Sequence, residues 1–316
     1  MNKELSDIEI ASRIALKFLR SKIITIKLVG NGVNNKNFLV QSKETKIIVK
    51  LSTSHKEHRA LEDYKKEKWC IQKITARGIP SPWVLDVGKY KKRAYMIQTF
   101  VLGKDGKKVK DKLHIFYELG KYAKIIHSIK TYGFGERQGK KLGNFKQNWR
   151  KYVNYNINSL TNNRDDKLIV LNALNISQSK KVKEIFKKIK NKKYQFGLNH
   201  GDLVLWNTLV EKSGKVNLLD WEFSESHVIP HFDFICTLRL RYDGNTKPKK
   251  EEWNQFLQGY NMSIKQFEKL RPEIYHLALL ISVDRLRWVI EHSPSSQKLK
   301  KYTNTLKKML ELNKIK

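Results

Sequence analysis

Two periods of hydrophobic spacing divide the chain. Between residues 23 and 51 the apolar positions come in short runs, Ile24-Thr25-Ile26-Lys27-Leu28-Val29, Asn37 to Gln41, and Lys46-Ile47-Ile48-Val49-Lys50-Leu51. Runs of this length bounded by Gly, Asn and polar turns are strand signals. Gly30-Asn31-Gly32-Val33-Asn34-Asn35 separates the first pair and Glu44-Thr45 the second. From about His55 to Ala76 the spacing changes to that of a helix, with Leu61, Tyr64, Ile71 and Ile74 on one stripe. Gly78-Ile79-Pro80-Ser81-Pro82 stops it. Trp83 to Lys89 and Ala94 to Phe100 complete a sheet of about five strands. Val101 to Gly106 then reads as a hinge, which places a boundary between residues 1–103 and 104–316. An amphipathic helix over Met1 to Arg20 precedes the sheet.

Beyond the hinge the helical period dominates. Leu113 to His127 and Trp149 to Leu160 carry apolar stripes, and Gly133-Phe134-Gly135 and Lys140-Lys141-Leu142-Gly143 lie between them as turn and loop. Residues 180–193 contain eight Lys, yet Val182, Ile185, Phe186 and Ile189 keep helical spacing, so this is an amphipathic helix with a solvated lysine face. One interruption returns to strand spacing: Thr208-Leu209-Val210 and Val216 to Leu219, joined by Glu211-Lys212-Ser213-Gly214-Lys215, read as a hairpin. Pro230-His231-Phe232-Asp233-Phe234 opens a helix, and from Thr246 the tail is helical to the end. The fold class is α+β, a five-stranded antiparallel sheet with a helix followed by a mostly helical region that carries a hairpin.

Composition changes the picture only at the edges. With 40% apolar residues, 13 Phe and 13 Tyr, the chain can build a core. It has no apolar run of membrane-spanning length, its first residues do not read as a signal peptide, and its two Cys have no metal-type spacing, so a cytoplasmic protein without a membrane span is expected. The net charge is +34, but only 13 of the 64 basic residues are Arg, and Lys, Asn and Ile all follow AT-rich codons. Nucleic-acid binding is allowed by this charge and not required by it. A polycationic substrate is disfavoured. Oligomeric state is open between monomer and dimer.

The chemistry concentrates in Asn199-His200-Gly201-Asp202-Leu203-Val204-Leu205-Trp206-Asn207 and, across the hairpin, Leu218-Leu219-Asp220-Trp221-Glu222. The hairpin returns Asp220 toward Asn207, so both can reach one metal ion, while Asp202 on the loop before it can face a hydroxyl. Lys50 stands in an apolar strand, where an unpaired ammonium is costly. Glu67 falls on the apolar stripe of the next helix, so the two can satisfy each other; the bland alternative is two solvated charges at element edges. A lone His inside a helix, such as His127, is more often a packed core residue than a catalyst. Asp233 is placed either to cap its helix or to tie down the loop.

These motifs, in this order, resemble the aminoglycoside phosphotransferase/choline kinase family, which has a bilobal protein-kinase-like fold. The resemblance is carried by H-G-D-x4-N over His200 to Asn207, by D-W-E over Asp220 to Glu222, and by the Gly/Asn turn, Lys50, Glu67, Gly133-Phe134-Gly135 and Asp233. It implies ATP and Mg2+ as cofactors, with residues 1–103 a nucleotide-binding lobe and 104–316 a catalytic and substrate-binding lobe. By resemblance Asp202 is the catalytic base, Asn207 and Asp220 hold the metal, and Lys50 steadied by Glu67 grips the α/β-phosphates. Gly32 and Asn35 would lie on the nucleotide loop, Thr99 and Val101 beside adenine, and Glu222 is left undecided. The implied activity is transfer of the γ-phosphate to a hydroxyl of a small molecule, a sugar or amino alcohol before a polycationic aminoglycoside. A choline-like substrate would need an aromatic box, for which Trp206, Trp221, Tyr242 and Trp288 are the available residues. The alternatives are an atypical ribosome- or tRNA-associated kinase or ATPase that uses the basic surface, and a nucleotide-binding pseudokinase.

Overall fold

The computed structural model describes residues 5–32, 34–53, 59–135, 148–241 and 247–316. Along the chain the elements are α1 (Asp7–Leu19), β1 (Ile23–Asn31), β2 (Asn35–Ser42), β3 (Lys46–Ser52), α2 (Ala60–Thr75), β4 (Val84–Tyr90), β5 (Arg93–Thr99) and β6 (Lys104–Asp105). They continue with α3 (Lys112–His127), α4 (Trp149–Ser159), α5 (Lys167–Val170), α6 (Ile176–Asn191), β7 (Phe196–Asn199), β8 (Thr208–Val210), β9 (Val216–Leu218) and β10 (Glu225–Val228). The last four are α7 (His231–Thr237), α8 (Lys250–Tyr260), α9 (Ile264–His292) and α10 (Ser296–Leu312). The expected start of the helix at His55, the loop at residues 140–143, Val33, Tyr242 and Thr246 lie outside the described residues.

Two compact units emerge, residues 1–109 with 205–222, and residues 110–204 with 223–316. The boundary read after Gly103 falls close to the end of the first segment, and the hairpin 205–222 groups with the N-terminal sheet. In that unit the sheet is antiparallel in the order β1-β2-β3-β5-β4. Its central strands are covered on both faces. Val49 and Leu51 join Ile10 and Ile14 of α1 with Phe38, Val40 and Ile97 in one core. On the other face Tyr64 of α2 packs with Ala94 and Met96 of β5. A strand buried on both sides reads as a nearly continuous apolar run, and that is the sequence of β3. Because alternate side chains point to opposite faces, Lys50 points away from the Val49/Leu51 core and pairs in register with Met96, on the α2 side. Asp7 ties α1 to the sheet through Lys36 (2.6 Å) and Arg93 (2.8 Å).

The hairpin is held to this unit at its base. The Leu218 N–H donates to the Pro80 carbonyl (2.8 Å), and Ser81 Oγ donates to the Leu218 carbonyl (2.8 Å). The Gly78–Pro82 turn therefore does more than stop α2. The residues read as a hinge contain β6, which pairs with β8 (Lys104 with Val210, Asp105 with Leu209).

Among the described residues the second unit is helical apart from β7 and β10, an antiparallel pair in which Asn199 faces Glu225. Helices α3 and α8 approach closely because Gly120 and Gly259 lie at their crossing. A Cβ on Gly120 would overlap the Phe256 carbonyl oxygen, and one on Gly259 the Tyr117 carbonyl oxygen. The buried interior gathers Leu119, Ile126, Phe234, Phe256, Leu277 and Leu280. No helix among the described residues is long and apolar enough to cross a membrane.

Candidate active site

In the first unit, Lys50 Nζ lies 3.0 and 2.9 Å from the two Glu67 oxygens, and both residues are buried. Asp220 Oδ1 is 3.5 Å from the same ammonium. Burial works against the Lys50 charge, but the Glu67 and Asp220 carboxylates outweigh it and hold the group protonated, its pKa raised. Burial pushes the Glu67 carboxyl upward, and Lys50 opposes that by favouring the carboxylate. Tyr64 completes the cluster: its ring centroid is 5.7 Å from Lys50 Nζ and its hydroxyl donates to Asn35 Oδ1 (2.6 Å).

The Gly/Asn turn and the D-W-E stretch meet through Glu222. Asn34 Nδ2 and Asn35 Nδ2 donate to its two carboxylate oxygens (2.6 and 3.3 Å), and Lys66 Nζ donates to its backbone carbonyl. Glu222 thus ties the turn to the hairpin, a role that spacing along the chain does not reveal. The turn is also closed by the Gly32 N–H bonding to the Asn35 carbonyl (2.9 Å). Within the hairpin, the Leu219 N–H donates to the Asn207 carbonyl (2.8 Å), which joins the segments bearing Asn207 and Asp220. Asn207 is buried, and Asp220 has φ 58°, a left-handed conformation that turns the chain between β9 and Trp221. Thr99 ends β5, with its N–H on the Trp83 carbonyl (2.9 Å), and Val101 follows two residues later, half-buried.

In the second unit the H-G-D loop leaves β7 and is fixed by Asp233. The N–H groups of His200 (3.0 Å) and Gly201 (2.8 Å) donate to the Asp233 carboxylate, and His127 Nε2 lies 3.0 Å from it. Of the two placements read for Asp233, tying down the loop is the one observed. Burial opposes its charge, but the His127 hydrogen bond and the neighbouring amide donors prevail, and its pKa is lowered. His127 Nδ1 contacts the Tyr260 hydroxyl (2.9 Å), so this histidine is a packed, bonded residue of α3. Gly201 takes φ 79°, and a Cβ there would overlap the Phe223 carbonyl oxygen; glycine is required on both counts. His200 is buried, and its Nδ1 accepts from the Asp202 N–H (3.2 Å). Asp202 Oδ1 lies 3.3 Å from Arg239 Nη1, a neighbour that sequence reasoning missed.

Three of the four aromatic residues available for a box have contacts of their own. Trp221 is buried, Trp206 has Lys107 Nζ over its ring at 5.7 Å, and Trp288 lies between His292 and Arg285, each 5.0 Å away. Tyr242 is outside the described residues.

A model described as the APH phosphotransferase enzyme family matches residues 25–271. No curated protein sequence matches the chain. Among solved structures, aminoglycoside phosphotransferase APH(4)-Ia superposes with a TM-score of 0.68 at 12% identity, over 96% of this chain and 98% of that one. ADP-bound aminoglycoside phosphotransferase APH(2'')-Ib gives 0.66 at 16% identity, over 98% and 99%. The gentamicin-APH(2")-IIa complex gives 0.64 at 17% identity, over 99% of each chain. These likenesses show the fold, bilobal and protein-kinase-like, with its five-stranded antiparallel sheet and helical C-terminal region. The family model runs through Lys50, Glu67, the H-G-D loop and the Asp220 hairpin, and the chain belongs to the APH phosphotransferase enzyme family.

Proposed function

We propose that the chain is an ATP- and Mg2+-dependent kinase that phosphorylates a hydroxyl of a small molecule, a sugar or amino alcohol before a polycationic aminoglycoside. The observation that carries this reading is Lys50, a buried ammonium on both oxygens of Glu67 and 3.5 Å from Asp220. Phosphoryl transfer needs charge neutralisation and positioning more than covalent help, and a fixed cation beside a metal-type carboxylate supplies both. The donor as nucleotide is supported by the ADP-bound APH(2'')-Ib structure and by the AMP-PNP and hygromycin B complex of an APH(4)-Ia mutant.

Asn207 and Asp220 present one amide oxygen and one carboxylate, hard donors of the number Mg2+ takes from a protein when phosphates and water fill the rest. When bound, the ion neutralises phosphate charge. Lys50 would grip the α/β-phosphates, Gly32 and Asn35 would line them, and the backbone of Thr99 and Val101 would meet adenine. Asp202 accepts the proton of the acceptor hydroxyl; the hydroxyl oxygen bonds to the γ-phosphorus, the bond from that phosphorus to the β-phosphate oxygen breaks, and ADP leaves.

Transfer from radiolabelled ATP, screened over sugars, amino alcohols and aminoglycosides, tests the reading with wild type, Asp202→Ala and Asp220→Ala. Both variants should lose activity, Asp220→Ala by ~10³-fold or more. Full activity in both would overturn the assignment. A second reading, an RNA-associated kinase, draws on the lysines of α6 and α10; RNA that stays bound at high salt would favour it.

A further inference from the structure

Asp202 has a partner for which the phosphoryl-transfer reading has no use. Arg239 Nη1 is 3.3 Å from Asp202 Oδ1, and the two side chains keep 13% and 12% exposure, so the pair is largely buried without being sealed from solvent. Its backbone position is unfavourable. Helix α7 closes with the Arg239 N–H on the Cys236 carbonyl (3.1 Å) and the Leu240 N–H on the Ile235 carbonyl (3.0 Å), and Arg239 itself has φ 56°. That left-handed closing position ordinarily belongs to Gly or Asn, and a side chain with a Cβ is disfavoured there. The disfavoured position falls on the residue that reaches the candidate base. Two residues on, Arg241 is held between the Phe223 and Phe232 rings (5.6 Å to each) with Nη1 3.3 Å from Cys236 Sγ. It adds a second guanidinium on the same turn.

We propose that Arg239 sets acceptor specificity by taking up a phosphate or carboxylate carried by the acceptor, which presents the hydroxyl beside it to Asp202. The inference rests on the kinase reading above and narrows its acceptor to an anionic alcohol. A planar guanidinium binds either anion through paired N–H groups, and it repels an acceptor whose reactive hydroxyl lies next to an ammonium. Asp202 holds the guanidinium in place when no anion is present, and the transfer step is the one already described.

The test is calorimetric titration of inorganic phosphate, and separately of acetate, into the full chain. AMP-PNP and Mg2+ are held saturating and the ionic strength constant with chloride. Wild type should bind one of the two saturably, and which one decides between a phosphorylated and a carboxylated acceptor. Arg239→Gln should weaken that binding by ~10-fold or more, with Arg239→Lys between the two. Asp202→Asn should tighten it, because a competing carboxylate is gone; a merely structural Arg239 would not respond in this way. Thermal unfolding of each variant separates lost binding from lost folding. Absence of saturable binding by wild type, or equal binding by a folded Arg239→Gln, would overturn the proposal. Phosphotransfer by Asp202→Asn is read alongside: if it persists, the base assignment fails while the anion result stands on its own.

Discussion

Lys50 and Glu67 form a buried pair whose members cannot be removed singly at low cost. Deleting one leaves the other charge without its partner, which costs about 3–5 kcal/mol, whereas replacing both by apolar residues can be nearly neutral. Urea unfolding of Lys50→Ala, Glu67→Ala and the double variant should therefore give strongly non-additive losses, with a coupling of at least ~1.5 kcal/mol. Simple additivity would mean that the pair is not ionic in solution. A second residue-scale prediction concerns His227, buried against Phe232 (4.0 Å, stacked), with Nδ1 accepting from the Val228 N–H. Burial first, then Arg241, lowers its pKa to about 3. Its folded value lies below its unfolded one, so the unfolded chain binds the proton more readily. Its contribution to stability is present above about pH 6.5 and lost as pH falls toward 3, by at most ~1.4 kcal/mol per unit. His227→Gln should flatten that part of the stability–pH curve, while an unchanged slope would count against a buried neutral imidazole. At this scale the sequence exposes some partners and hides others. Lys50 and Glu67 are legible because one interrupts an apolar strand and the other an apolar stripe. The contacts of Asn34 and Asn35 with Glu222, and of Arg239 with Asp202, join residues whose chain spacing bears no local period, and nothing in the sequence pairs them.

Helix crossings are decided by a few backbone approaches. At the α3–α8 crossing, Gly120 and Gly259 each leave no room for a methyl against a carbonyl oxygen of the facing helix. A Gly259→Ala substitution, which would improve an isolated helix by about 1 kcal/mol, should instead destabilise the chain by several kcal/mol, because two backbones would have to separate. Thermal unfolding measures it, and a gain in Tm would show that the helices are not in such contact. At the end of α7 two effects oppose. Arg239→Gly relieves a left-handed conformation by ~1 kcal/mol but takes the guanidinium from a largely buried pair, which costs more, so thermal unfolding should show a lower Tm. Most elements were legible from period alone: the five strands of the sheet, α2, α3, α4, α6 and the β8–β9 hairpin. The omissions were β6, β7, β10 and α5, of two to four residues each. Elements that short carry too few apolar positions to show a period; the strands form because a partner strand supplies the other half of their bonds, and the single turn of α5 is capped by the Asp166 side chain, which accepts from the Leu168 N–H (2.9 Å).

A formal charge of +34 gives the whole chain long-range attraction for any polyanion. Binding to unrelated RNA should therefore be measurable at low salt and fall steeply as salt rises, in proportion to the phosphates neutralised. Binding that resists salt would instead identify a dedicated RNA surface. Charge, class and candidate chemistry are properties of composition and order, and these the sequence by itself determined: an α+β chain, a family shown by motifs in sequence, and a cluster of candidate phosphate-handling residues at the hairpin. Such features are local, since periodicity, turn chemistry and motif spacing all act over a few residues. Tertiary structure alone decided that residues 205–222 group with the N-terminal sheet, that Glu222 ties the Gly/Asn turn, and that Asp233 holds the H-G-D loop through its amides. It also decided that Asp202 faces Arg239. Each of these joins segments tens to nearly two hundred residues apart, and such contacts exist only once burial has brought the segments together and made every unpaired polar group seek a partner.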